Sequence, residues 1–175
     1  RKDPAYVGKA KAAHELELIR ESGSCPAKET ELTAVYDKIK TIPGFADVHP
    51  RQIGIGSTIF ANKPGDGSAR EQAASCQRVL GAWANLAKEY ATKRYRSNLI
   101  NWGMIPFLVE DPEAFQLDDY IFFPGIRKAI VEKSDAIKGY VIGNEVREIT
   151  VSLGTLTDDE RQIILDGCLI NYYRG

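Results

Sequence analysis

Apolar positions recur at helical intervals at the start of the chain and further on run together or alternate as in strands. In the alanine-rich opening, Leu16 and Ile19 share one face, which predicts a helix over 6–20 ended by Ser22-Gly23-Ser24 and Pro26. Leu32, Val35, Tyr36 and Ile39 mark a second helix over 29–40, stopped by Pro43-Gly44. Neither helix carries an obvious chemical group, and both are read as packing elements. The run 53–60, Ile-Gly-Ile-Gly-Ser-Thr-Ile-Phe, reads as a buried strand. Gly54 and Gly56 within it imply that another backbone or a ligand passes close.

Beyond a loop over 61–67, a helix is expected to open near Ser68. A second strand falls within 80–90, although the alanine-rich 82–87 stretch is equally compatible with helix. A helix over 91–102, a strand over 105–109 and a turn or short helix at Asp111-Pro112 follow. A strand over 120–123 is closed by Pro124-Gly125. The segments 138–142 and 146–153 alternate around Gly143-Asn144 as a hairpin. Thr157 with Glu160 forms a capping box opening a helix through Ile163, Ile164 and Leu169. Strands alternating with helices and ending in a hairpin predict one α/β domain with a mixed sheet in two or three layers.

The chemistry concentrates in Gly65-Asp66-Gly67-Ser68-Ala69-Arg70-Glu71-Gln72. A Gly-x-Gly turn there delivers Ser68 and Arg70 to the expected first turn of a helix, where unpaired N–H groups and the positive dipole end favour an anion. Arg70 adds a planar donor fork suited to a carboxylate. A competing reading makes Ser68 an ordinary N-cap, worth about 1 kcal/mol, and Arg70 a surface ion pair. Lys63, near the loop, is a weaker candidate for substrate contact.

Composition narrows the partners. The 175 residues carry 23 Lys plus Arg against 24 Asp plus Glu, so no net field steers a polyanion and nucleic acid is excluded. No apolar run reaches the length of a membrane span and no signal peptide pattern opens the chain. The chain begins at Arg1 rather than Met and is read as a fragment or a processed chain. Cys25, Cys76 and Cys168 are odd in number and widely separated, which fits a reducing, cytoplasmic setting and lacks the spacing of cluster or zinc ligands. His14 and His49 are isolated, so no metal site is expected within the chain.

The octapeptide resembles the G-E-G-S-S-R-E-H signature of the aconitase family. The series continues with Arg78-x-Leu80-Gly81, Asn98-Leu99, Gly103-x-x-Pro106 and Asp111-Pro112, then the closing helix near Thr157. The resemblance covers 52–175, with 1–50 as a helical lead-in, and implies the swivelling β/β/α fold of the aconitase C-terminal domain. It further implies reversible dehydration and hydration of a hydroxy-carboxylic acid. By position Ser68 is the proton-abstracting base and Arg70 binds substrate carboxylate, with Gly67 and Ala69 contributing to the substrate site. The desolvated helix start beside arginine would favour the serine alkoxide. Two residues depart from the signature: Ala69 replaces the second serine and removes one hydroxyl donor, and Gln72 replaces the histidine. Arg78 is taken as structural.

The resemblance also implies a four-iron four-sulfur cluster held outside this chain, because the family's cluster cysteines have no counterpart here. The expected partners are cluster-bearing N-terminal domains of the same polypeptide, or a separate large subunit, together with a small di- or tricarboxylate substrate. The chain alone is expected to be inactive. Three readings stand: the C-terminal domain of an aconitase-like hydratase, a separate small subunit like that of isopropylmalate isomerase, and a non-catalytic anion-binding module that kept the fold.

Overall fold

A computed structural model describes residues 3–26 and 31–174. Two small sheets meet edge to edge. The first is parallel, ordered β1 (Ser57–Ala61), β2 (Ala82–Ala87) and β3 (Ile105–Leu108). Its crossovers are helices α3 (Arg70–Val79) and α4 (Lys93–Asn101). The second is antiparallel, ordered β4 (Tyr120–Phe122), β5 (Ile137–Ile142) and β6 (Val146–Val151). The two are stitched by one bridge, where Leu108 N–H donates to the Ser152 carbonyl at 2.7 Å and Ser152 N–H returns the bond at 3.0 Å. The expected α/β domain with both strand senses is what forms.

The main core lies under this junction. Leu86 of β2, Phe107 of β3, Ile137 of β5 and Val151 of β6 are buried together with Ile163 and Ile164 of α6 (Asp158–Asp166). Full burial of each such side chain contributes about 1.5–3 kcal/mol. The α6 capping box is present as expected: Glu160 N–H donates to Thr157 Oγ1 at 3.1 Å and Thr157 N–H to Glu160 Oε2 at 2.9 Å. The helix ends earlier than the sequence suggests, because Gly167 adopts φ 89°; Leu169 falls in a separate short helix, α7 (Leu169–Tyr172).

The lead-in packs on both sheets. Helix α1 (Tyr6–Glu21) lies near β1, and α2 (Leu32–Lys40) sets Leu32, Tyr36 and Ile39 against Phe122 of β4 and Ile142 of β5. The expected start of this second helix, at Glu29, lies outside the described residues. Contrary to the packing-only expectation, α1 carries a buried carboxylate. Glu17, 3% exposed, accepts from Arg20 Nε at 2.7 Å and Nη2 at 2.5 Å, and from the Ile55 N–H at 2.8 Å.

That last bond explains why the first strand is shorter than 53–60. The Ile55 N–H is committed to Glu17, so pairing with β2 begins only at Ser57. β1 is an edge strand of alternating exposure rather than a buried one. The close approach expected at Gly54 and Gly56 comes from the Trp83 indole, neither backbone nor ligand; a Cβ on Gly56 would stand 2.5 Å from Trp83 Cγ. Trp83 occupies the register shift between the Ser57 and Thr58 pairings, a bulge that turns its ring across this segment. The ambiguous 82–87 stretch is a strand because it sits between two parallel neighbours with Ala82, Leu86 and Ala87 buried. One helix, α5 (Ile126–Val131), was not indicated by the sequence pattern.

Candidate functional site

The loop after β1 runs beside the segment after β2. Glu89 N–H donates to the Asn62 carbonyl at 3.1 Å and Ala91 N–H to the Pro64 carbonyl at 2.9 Å. The next carbonyl, Gly65, accepts from Thr92 Oγ1 and from Arg70 Nε, each at 3.1 Å. Gly65 needs to be glycine twice over: its φ is 97°, and a Cβ there would lie 2.5 Å from Tyr95 Cγ. The chain then turns into α3, and residues 64–70 with Ala73 and Tyr95 enclose a shallow pocket of about 470 Å³.

Gly67, Ser68, Ala69 and Arg70 all line this one pocket. Ser68 is exposed, and among the described residues its hydroxyl has no hydrogen-bond partner. It is not the N-cap. The helix opens at Arg70, the capping position is Ala69, and no side chain caps it. Ser68 therefore precedes the first turn instead of lying in it, and the N-cap reading loses its structural basis. The amides of Gly67, Ser68 and Ala69 donate to no acceptor among the described residues. Gly67 has ordinary φ, and nothing lies within 4 Å of the position a Cβ would take, so packing inside the chain gives no reason for glycine there.

Arg70 spends Nε on Gly65 and keeps both terminal nitrogens without a partner among the described residues. Among the described residues, the surface ion pair considered for it does not form. Asp66 lines the same pocket, so attraction of an anion rests on the guanidinium fork and the unpaired amides rather than on net charge. Ala69 presents a methyl where the resembled signature carries a second hydroxyl. Gln72 is exposed and outside the pocket lining. Lys63 is also outside it, paired with Glu89 at 2.8 Å. Arg78 binds the Ala82 carbonyl at 3.1 Å, consistent with a structural part.

Beneath the loop lies a polar support that sequence reasoning missed. Tyr95 places its ring against Gly65 and its hydroxyl within 2.7 Å of Asn85 Nδ2 and 3.1 Å of Gln77 Nε2. Asn85 is fully buried on β2. Tyr90 donates to the Phe107 carbonyl at 3.0 Å, and burial pushes its pKa well above the ordinary phenol value. Glu71 accepts from Trp102 Nε1 at 2.7 Å, tying the start of α3 to the end of α4. Thr92 falls inside the helix expected over 91–102, but the helix opens only at Lys93 and Thr92 caps it by accepting from Tyr95 N–H at 3.2 Å.

A second depression, of about 320 Å³, is lined by Glu110, Asp111 and Glu148 against Arg147. Three carboxylates to one guanidinium suit an anionic ligand poorly. No three His, Cys, Asp or Glu side chains converge to hold a metal among the described residues, and Cys25, Cys76 and Cys168 are all free thiols. No described helix is long and apolar enough to cross a membrane.

Comparison with known proteins gives a consistent picture. A profile of the aconitase C-terminal domain matches residues 25–112, which contain the pocket. The chain is 32% identical over 132 residues to the methanogen homoaconitase small subunit of Methanocaldococcus jannaschii, across 75% of this chain and 69% of that protein. It is 23% identical over 159 residues to the mitochondrial aconitate hydratase of Candida albicans, across 89% of this chain and 20% of that longer protein. The crystal structure of 3-isopropylmalate dehydratase from Methanocaldococcus jannaschii matches with a TM-score of 0.52 at 31% identity, covering 71% of this chain and 67% of that one.

Proposed function

Because the chain belongs to the aconitase C-terminal domain family, we propose that it forms one wall of the active site of a hydro-lyase acting on a hydroxy di- or tricarboxylate. The observation that carries this reading is the pocket before α3, lined by Gly67, Ser68, Ala69 and Arg70. The amides of the first three and the terminal guanidinium nitrogens of Arg70 have no partner among the described residues. In the proposed dehydration, Arg70 and the amides hold a substrate carboxylate. Ser68 Oγ takes the proton from the adjacent carbon, whose electrons form the double bond as hydroxide departs. Hydration is the reverse.

A serine alkoxide is costly, and a neighbouring positive charge offsets part of that cost, most where water is excluded. A helix start contributes about 0.3–1 kcal/mol at an exposed site. A positive charge ~4 Å away adds about 1 kcal/mol in water but about 4 kcal/mol where the effective dielectric falls to ~20, or roughly 3 pKa units. Ser68 is exposed in this chain. The base therefore needs a second surface to exclude water, and we propose that the chain turns over substrate only when so covered.

The four-iron four-sulfur cluster implied by the family resemblance does not fit the described residues, which offer no converging ligand set. We propose that it belongs to the covering subunit or domains. The covering surface is either a separate large subunit or further domains of the same polypeptide, since the relatives include both a homoaconitase small subunit and an aconitate hydratase.

Dehydration by the chain combined with its covering partner should be detectable as absorbance of the unsaturated acid, with citrate, its one-carbon-longer homologue and isopropylmalate-type hydroxy acids as substrates. Arg70→Lys keeps the charge and loses the fork, so it should raise KM with a smaller fall in kcat. Absence of turnover on the whole panel by a well-assembled complex would leave the non-catalytic anion-binding reading in possession.

A further inference from the structure

We propose that Thr92 is the positioning residue for Arg70; the proposal rests on the substrate-binding part given to Arg70 above. Two backbone bonds zip 62–64 to 89–91, from Glu89 to Asn62 and from Ala91 to Pro64. The last rung is different in kind. It is made by a side chain, Thr92 Oγ1, and its acceptor, the Gly65 carbonyl, is the same oxygen that receives Arg70 Nε.

This shared acceptor ties the guanidinium to the start of α4. A guanidinium fixed at Nε presents its terminal nitrogens in a set plane, so the direction of the Gly65 carbonyl decides where the fork points. Gly65 is free to rotate its carbonyl in a way other residues are not. Tyr95 restricts it from one side by ring contact, and Thr92 fixes the oxygen directly. The threonine hydroxyl works in both directions: its hydrogen goes to Gly65, and one of its lone pairs accepts the Tyr95 N–H that caps the helix. Without the hydroxyl, the zipper would end at Pro64 and the carbonyl that orients Arg70 would be held by Arg70 alone.

The decisive measurement is hydrogen exchange at the Arg70 Nε–H in the 175-residue chain carrying isotope-labelled arginine, with Arg70→Lys identifying the signal. Thr92→Val should accelerate that exchange on the order of tenfold, the scale of one net hydrogen bond, and Thr92→Ser should restore it. Thr92→Gly, a tolerable N-cap without a hydroxyl, should match Thr92→Val with little loss of stability. Thr157→Val removes the equivalent cap of α6 and should lower the melting temperature while leaving Arg70 unmoved. In the assembled enzyme, Thr92→Val should raise KM about tenfold with a smaller change in kcat, and Thr92→Ser should recover the wild-type value. An assembled wild type that turns over nothing would count against the proposed function, and the exchange rates would still decide the part played by Thr92. Unchanged Arg70 exchange in Thr92→Val and Thr92→Gly, or equal acceleration in Thr157→Val, overturns the proposal.

Discussion

Gly65 and Gly67 flank one aspartate, yet alanine should have opposite consequences at the two positions. At Gly65 the backbone has φ 97°, and a new Cβ would stand 2.5 Å from Tyr95 Cγ. The conformational strain is about 1–2 kcal/mol. Forcing a methyl into packed surroundings adds about 1–3 kcal/mol, for a total of roughly 2–5 kcal/mol. At about 2–4 °C per kcal/mol for a domain of this size, the melting temperature should fall by roughly 5–20 °C. At Gly67 nothing lies within 4 Å of the added atom and φ is ordinary. Gly67→Ala should therefore be neutral, or stabilising by about 0.4–1 kcal/mol through the unfolded chain. Its methyl would nevertheless enter the pocket wall beside Ser68, and in the assembled enzyme KM should rise by about tenfold or more. Thermal unfolding of both variants, with KM measured on the Gly67→Ala enzyme, separates the two roles. Equal destabilisation by both substitutions, or an unchanged KM for Gly67→Ala, would refute the reasoning.

Two predictions concern the lead-in. Glu17→Ala leaves the Ile55 N–H and Arg20 without their shared carboxylate and should cost roughly 2–4 kcal/mol; chemical denaturation should also show Glu17→Gln, which keeps an acceptor for Ile55, to be milder. Tyr36 is buried, its hydroxyl has no hydrogen-bond partner among the described residues, and burial raises its pKa from 10.0 to about 12. The unfolded chain therefore releases this proton first, and stability should fall as pH rises from about 10 through about 12. Tyr36→Phe should flatten that part of an alkaline stability curve; an identical slope in both proteins would remove Tyr36 as its source.

The elements legible in the sequence were those specified by neighbours a few residues apart. The Thr157–Glu160 box announces α6 because both partners lie within one turn, and the hairpin around Gly143-Asn144 is equally local. The Gly65–Arg70 segment was legible for the same reason, since its residues share one loop. What was missed depends on distant partners or on too few residues. The start of β1 is set by Glu17, 38 positions before Ile55, and Gly54 and Gly56 are explained only by Trp83. α5 is six residues long, too short for a helical period to register. Thr92 and Tyr95 reach the site only because two crossovers bring the starts of α3 and α4 side by side, a consequence of strand order that no local pattern contains.

Ser68→Ala in the assembled enzyme tests the proposal that the exposed Ser68 hydroxyl takes a proton from substrate. Ser68 caps nothing and bonds to nothing among the described residues, so the substitution should leave the melting temperature unchanged. Removal of a positioned base should lower kcat by about 10²–10⁴-fold with little effect on KM. An enzyme that keeps wild-type kcat after Ser68→Ala would rule Ser68 out as the base.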